Sequence, residues 1–176
     1  DRVWSLFGHI AHSLLEEHGS DDALTEKRFF AQLEGKTLSG QVDVYKDGII
    51  TDYKTTSAYK ITKKSYDDWE RQLNIYAFLA KMQGLPVRSI RIIAIIRDWS
   101  ESETFKPDYP QTPIVVIPIT LWSDNEQENY IRKRVQMLAF SENQPDDMLL
   151  PCSTEERWQA PSRYAVMKVG AARASK

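Results

Sequence analysis

Between Arg88 and Trp99 the chain reads RSIRIIAIIRDW, a run of isoleucines around one alanine. β-Branched side chains lose rotamer freedom in a helix and pack well on a pleated surface, so this run is expected to be a strand. Its uninterrupted apolar centre is expected to be buried. Such a strand needs cover on its faces and partners at its edges, and the flanking segments have the periodicities to supply both.

On the N-terminal side, GHIAHSLLEEHG places Ile10, Leu14 and Leu15 on one stripe and stops at Gly19, which predicts a short helix. Three strand-like runs follow: KRFFAQLE, TLSGQVDVY and GIITDYKT, the last two separated by Lys46-Asp47-Gly48. Short connections of this kind predict an antiparallel meander. Ser65 and Asp68 have capping-box spacing and are expected to open a helix through YDDWERQLNIYAFLAKMQG. In that helix Trp69, Leu73, Tyr76, Ala77 and Ala80 recur on one face, and Gly84-Leu85-Pro86 ends it. Beyond the isoleucine run, PIVVIPIT predicts a strand at an edge, because Pro118 cannot donate to a ladder. Ser123 and Glu126 form a second capping box before the helix NEQENYIRKRVQMLAF, and Ser153-x-x-Glu156 predicts a further helix start. The order is α-β-β-β-α-β followed by β and α: an α/β fold with a mixed central sheet flanked by helices. Residues 1–144 are read as the core and 145–176 as a C-terminal extension.

Of 176 residues 41% are hydrophobic, enough for one domain with a substantial core. The 23 basic and 25 acidic side chains leave a net charge of -2, so global charge makes no case for nucleic acid. The single cysteine, Cys152, excludes an intrachain disulfide and a multi-thiolate metal centre within these residues, and is expected to be a plain, partly buried thiol. No apolar run approaches the roughly 20 residues of a membrane span. A reducing, cytoplasmic location is expected, in a bacterial or phage-infected cell.

The chemistry is concentrated in GQVDVYKDGIITDYKT, where strands built for burial carry Asp43, Asp52 and Lys54. Alternation puts Asp52 and Lys54 on one face with Tyr53 on the other, and the short turn brings Asp43 alongside. Two neighbouring carboxylates repel unless a cation lies between them. Hard oxygen donors favour Mg²⁺ or Mn²⁺, and Lys54 beside such an ion can orient a water or neutralise charge on phosphate. Each piece alone fits an ordinary solvated strand face. Gly8, His12 and Glu16 recur every four residues on one helix face, and Gln72 and Tyr76 share a face of the second helix.

Taken in order, Gly8-x-x-x-His12-x-x-Leu15-Glu16, Gly40-x-x-Asp43, Asp52-Tyr53-Lys54 and Gln72-x-x-x-Tyr76 resemble the RecB-like exonuclease branch of the PD-(D/E)XK nuclease superfamily. The resemblance implies a restriction-endonuclease-like αβββαβ core. It also implies His12, Asp43, Asp52 and the Tyr53 carbonyl as metal ligands, Lys54 as the catalytic lysine, and Gln72 and Tyr76 as residues that line the site and place DNA. Glu16 is rated as supporting structure. Related nucleases that hold an iron–sulfur cluster use four cysteines. This chain has one, which leaves a cluster-free group or cluster ligands outside these residues as the two options.

Around that site, KTTSAYKITKK carries Lys60, Lys63 and Lys64 and no acid. It is expected either to grip a phosphate backbone or to be a solvated loop, with Tyr59, Tyr66 or Trp69 stacking on bases. Arg132, Lys133 and Arg134 read as a solvated helix face. The function expected is metal-dependent DNA hydrolysis, most simply from DNA ends in recombination, repair or phage DNA processing, beside a recombination or helicase partner. The alternatives are a nucleic-acid-binding domain without catalysis and a site-specific endonuclease. Lys54→Ala is expected to abolish cleavage with folding and metal binding nearly intact.

Overall fold

A computed structural model describes residues 23–149, 151–154, 156–157 and 159–160. The helix expected over Gly8–Gly19, with His12 and Glu16, lies outside the described residues. Five strands form one sheet in the order β1-β2-β3-β4-β5: β1 Leu24–Leu33, β2 Lys36–Lys46, β3 Ile49–Thr56, β4 Ser89–Ile96 and β5 Ile114–Ile119. Among the described residues three α-helices accompany them, α1 Ala58–Lys63, α2 Asp67–Met82 and α3 Asp124–Ser141. β3 and β4 are parallel and every other neighbouring pair is antiparallel, so the sheet is mixed. This is the α/β architecture expected, and it is consistent with a restriction-endonuclease-like core.

The first three strands form the meander through two-residue turns. Glu34-Gly35 (φ 51° and 72°) and Asp47-Gly48 (φ 50° and 74°) both place two successive residues in the left-handed region. That geometry matches the right-handed twist of the flanking strands, and glycine adopts it without a Cβ clash. The isoleucine run is an interior strand. Ile90, Ile92, Ala94 and Ile96 are buried on the face that also carries Ile50, Asp52, Ile117 and Ile119. β5, with Pro118, is an edge strand of the described sheet.

α2 lies across all five strands and buries Trp69, Leu73, Ala77, Leu79 and Ala80 against them. Its start differs from the expected capping box: Tyr66 is the N-cap residue and makes no side-chain capping bond. Asp68 is drawn instead to Lys60, which approaches both carboxylate oxygens at 2.9 and 2.7 Å. Asn74 is fully buried on α2 and was not singled out in the sequence. Its amide nitrogen donates to the carbonyls of Glu70 and Thr120, both at 2.9 Å. Its oxygen accepts from the Trp122 N–H at 2.8 Å and from Gln127 at 3.0 Å. Every hydrogen-bonding position of the amide is thus used, and α2 is tied through it to the segment entering α3.

The Ser123 box forms as expected. Glu126 accepts from the Ser123 N–H and hydroxyl, and Ser123 Oγ accepts from the Glu126 N–H at 3.3 Å. Those two bonds hold the Glu126 carboxyl below the usual carboxylate range. The chain divides into two units, Asp1–Leu138 and Ala139–Lys176. In the second, Asp146–Met148 is a 3₁₀ turn, and Ser153 and Glu156 close their expected box around a single turn. Cys152 is exposed, not partly buried, because the segment around it lies open to solvent.

Candidate active site at a fork in the sheet

The β1–β2 ladder keeps one register from Leu33↔Lys36 to Leu24↔Tyr45, except where Glu26 faces Asp43. There the ladder is interrupted, and Glu26 has φ +48°, an unusual conformation for a residue with a Cβ. At the same point β2 leaves β3. Their pairing covers Lys46↔Ile49, Tyr45↔Ile50 and Val44↔Thr51, and stops one residue short of Asp43 and Asp52. The two acids therefore stand on the two prongs of a fork.

Asp43 bridges the gap with its side chain. Its Oδ2 accepts the Tyr53 backbone N–H at 2.7 Å, in the place where a ladder carbonyl would have been. A carboxylate has about four lone-pair directions, so this bond leaves Asp43 able to accept others. Asn at position 43 can still accept the Tyr53 N–H, whereas Ala cannot. Asp43→Asn is accordingly expected to fold with stability close to that of the wild type, and Asp43→Ala to lose about 1.5–3 kcal/mol, the worth of a charge-assisted hydrogen bond. Urea denaturation of the two variants checks this; no loss in Asp43→Ala would show that the carboxylate does not hold the fork.

On the opposite prong Asp52 is 1% exposed, and its Oδ2 lies 2.7 Å from Lys54 Nζ. The expected same-face placement of Asp52 and Lys54 holds. Tyr53 points to the other face, toward Arg91, whose Nε donates to Thr51 Oγ1 at 2.9 Å. Burial raises the Tyr53 phenol, with Arg91 lowering it and Asp43 raising it.

Gln72 and Tyr76 reach the fork from α2. The Gln72 amide donates to the Tyr76 hydroxyl at 2.7 Å. The Tyr76 phenol is raised above its usual value, chiefly by burial; the Gln72 bond opposes this, and the charges of Asp52, Lys54 and Asp43 act on it in turn. One hydroxyl thus senses both acids and the lysine. Asp43, Asp52, Lys54, Gln72 and Tyr76, scattered over three elements, converge.

Among the described residues no three His, Cys, Asp or Glu side chains gather as a metal cluster. Two carboxylates are in place, and the further side-chain ligand expected, His12, lies outside the described residues. The donors present suit a hard divalent cation, because both are carboxylates on facing prongs.

The segment read as a basic loop contains α1. Ser57 Oγ and Asp98 Oδ1 receive the N–H groups of Lys60 and Ala58, and Ala58 and Ile61 are buried. Of the residues proposed to meet DNA, Lys60 pairs with Asp68 and lies 4.2 Å from the Trp69 ring centre. Trp69 is itself buried, so it offers no face to a base. Tyr66 stacks on Trp69 with ring centres 5.2 Å apart and donates its hydroxyl to the Ile61 carbonyl. Tyr59 is 70% exposed, and Lys63 and Lys64 are exposed beside it. Arg132 is held by Glu34 and Glu128.

Fold and site together define an α/β protein with acids and a lysine at a break in a mixed sheet. The fold is shared with solved structures. The crystal structure of SSO0001 is similar over 81% of this chain and 62% of that one, with 20% identity and a TM-score of 0.53. A "Putative exonuclease" from Eubacterium rectale is similar over 82% of this chain and 55% of that one, with 15% identity and a TM-score of 0.50. The chain thus spans less than two thirds of either. No protein-family model and no curated protein matches it.

Proposed function

We propose that the protein is a divalent-metal-dependent deoxyribonuclease of the RecB-like PD-(D/E)XK type, acting as an exonuclease. The observation that carries the proposal is the convergence of Asp43, Asp52, Lys54, Gln72 and Tyr76 at the fork, in the chain order of that family's motifs. The name of the Eubacterium rectale neighbour agrees with it.

In this reading Asp43, Asp52 and the Tyr53 carbonyl hold Mg²⁺ or Mn²⁺, with His12 as a further ligand. The N–H and C=O of one residue leave a strand by the same edge, so the Tyr53 carbonyl faces the fork as its N–H does. When bound, the ion supplies a water of lowered pKa and offsets the charge that develops on the phosphate. Lys54 orients that water or donates to a phosphate oxygen. Tyr76, its hydroxyl fixed by Gln72, lines the opposite wall and positions the DNA backbone. Lys63 and Lys64 neutralise phosphates leading to the site, with Tyr59 available for a base to stack on. Lys60 stays with Asp68 as a brace for α1. Partners in recombination or a helicase fit an end-acting enzyme, and a cytoplasmic setting fits its chemistry. No helix of the described residues is long and apolar enough to cross a membrane.

The test is cleavage of end-labelled linear DNA and of closed circular DNA, with Mn²⁺, Mg²⁺ or chelator. Loss of linear DNA alone, dependent on metal, is the expected result. Cutting of the circle would make it an endonuclease, and no cleavage by the folded protein would sink the enzyme reading.

A further inference from the structure

We propose that Gly40 is a positioning residue for Tyr76: it is a glycine because the tyrosine ring lies where any side chain at that position would have to go. This rests on the reading of Tyr76 as part of the site. Gly40 sits inside β2, paired with Phe29, and is buried. Its backbone is outside the left-handed region, which in this protein holds Gly35, Gly48 and Gly84. Conformation therefore gives no reason for glycine, and a glycine inside a strand weakens it. Space does give one. A Cβ at position 40 would lie 2.8 Å from Tyr76 Cε1, 2.9 Å from Tyr76 Cδ1 and 3.0 Å from Leu79 Cδ1.

Leu79 is fully buried, whereas Tyr76 is half-buried. A methyl group at position 40 would therefore move the tyrosine. The ring is held at two points, its edge against the β2 backbone at Gly40 and its hydroxyl against Gln72. Gly40 precedes Asp43 by three residues on the same strand, so the seat fixes the hydroxyl relative to that carboxylate. The contact registers α2 against the prong of the fork that carries Asp43.

The experiment compares the wild type with Gly40→Ala, Tyr76→Ala and the double variant. Gly40→Ala is expected to lower the folding equilibrium constant about tenfold, as overpacking does, and to have little effect once Tyr76→Ala has vacated the space. A penalty of the same size in both backgrounds overturns the proposal. Should Gly40→Ala fail to fold, recovery of folding in the double variant supports the seat, and failure there while Tyr76→Ala folds overturns it. The second readout is the ultraviolet titration of Tyr76, assigned by difference from Tyr76→Phe. In Gly40→Ala it should fall back toward the ordinary tyrosine value as the ring leaves its burial, and an unmoved titration in the folded variant overturns the assignment. Cleavage is expected to lose about 10–100-fold in kcat with KM little changed, because the hydroxyl is displaced while backbone contacts persist. If the protein cuts no DNA at all yet the penalty vanishes without the ring, the seat stands and the nuclease reading alone falls.

Discussion

Replacing Lys54 with alanine is expected to slow metal-dependent cleavage by about 10²–10⁴-fold, the range contributed by a positioned acid–base group. The variant is also expected to differ from the wild type without DNA. Asp52 is 1% exposed and Lys54 Nζ lies 2.7 Å from it, so the lysine is the counter-charge of a buried carboxylate. Removing one partner of a fully buried pair costs about 3–5 kcal/mol. The Lys54 side chain keeps 26% exposure, so the loss here should fall short of that range while remaining measurable. A divalent ion between Asp43 and Asp52 would take over the same neutralising role. Mn²⁺ should therefore bind Lys54→Ala at least as tightly as the wild type, and raise its melting temperature by more. Calorimetry and thermal unfolding with and without Mn²⁺ check both points. Cleavage at the wild-type rate would remove Lys54 from the mechanism, and weaker Mn²⁺ binding would mean that the lysine assists the ion instead of competing with it.

Asn74→Ala is expected to be the most destabilising change away from the fork, at about 4 kcal/mol. The amide makes four hydrogen bonds in a position with no solvent exposure. Its removal leaves the Trp122 N–H, the Gln127 amide and the Thr120 carbonyl without their shared partner. Each buried polar group left unpaired costs about 1–3 kcal/mol, and a cavity adds to the sum. Lys81, which bonds Asp124 at 2.6 Å and Gln127 at 3.2 Å, braces the same junction and limits the loss. Urea denaturation reads the change directly. A loss below about 1 kcal/mol would show that water can replace the amide.

Much of the fold was legible because periodicity is local. The isoleucine run, the Asp47-Gly48 turn, the stripe of α2 and the Ser123 box each carry their own signal in a few residues. α1 was missed for the converse reason. Six residues bury only Ala58 and Ile61, and its start is secured by Asp98, which is distant in sequence. Asp68 was misassigned as a cap because capping spacing cannot reveal a competing lysine eight residues earlier. At the candidate site, Asp43, Asp52, Lys54, Gln72 and Tyr76 stand out in the sequence through their motif order, and strand alternation pairs Asp52 with Lys54 as the structure does. The fork was not legible: it depends on where a ladder stops, and neither strand's own pattern encodes that. Gly40 did leave a trace, since an isolated glycine in a strand often marks a close approach. Its occupant comes from another element, thirty-six positions along the chain, and only packing identifies it.

The brevity of the β2–β3 ladder has a mechanical consequence. Three residue pairs join the β1–β2 ribbon to the rest of the sheet, while β3 and β4 stay paired along their whole length. Beyond Val44 the cross-strand link is the Asp43 side chain, whose bond to the Tyr53 N–H spans the gap like a strut. α2, packed on β1 and β2 as well as on β3 and β4, ties the ribbon to the rest of the sheet a second time. The spacing of the two carboxylates is thus set by a side-chain strut and a packed helix, where elsewhere in the sheet a backbone ladder would set it.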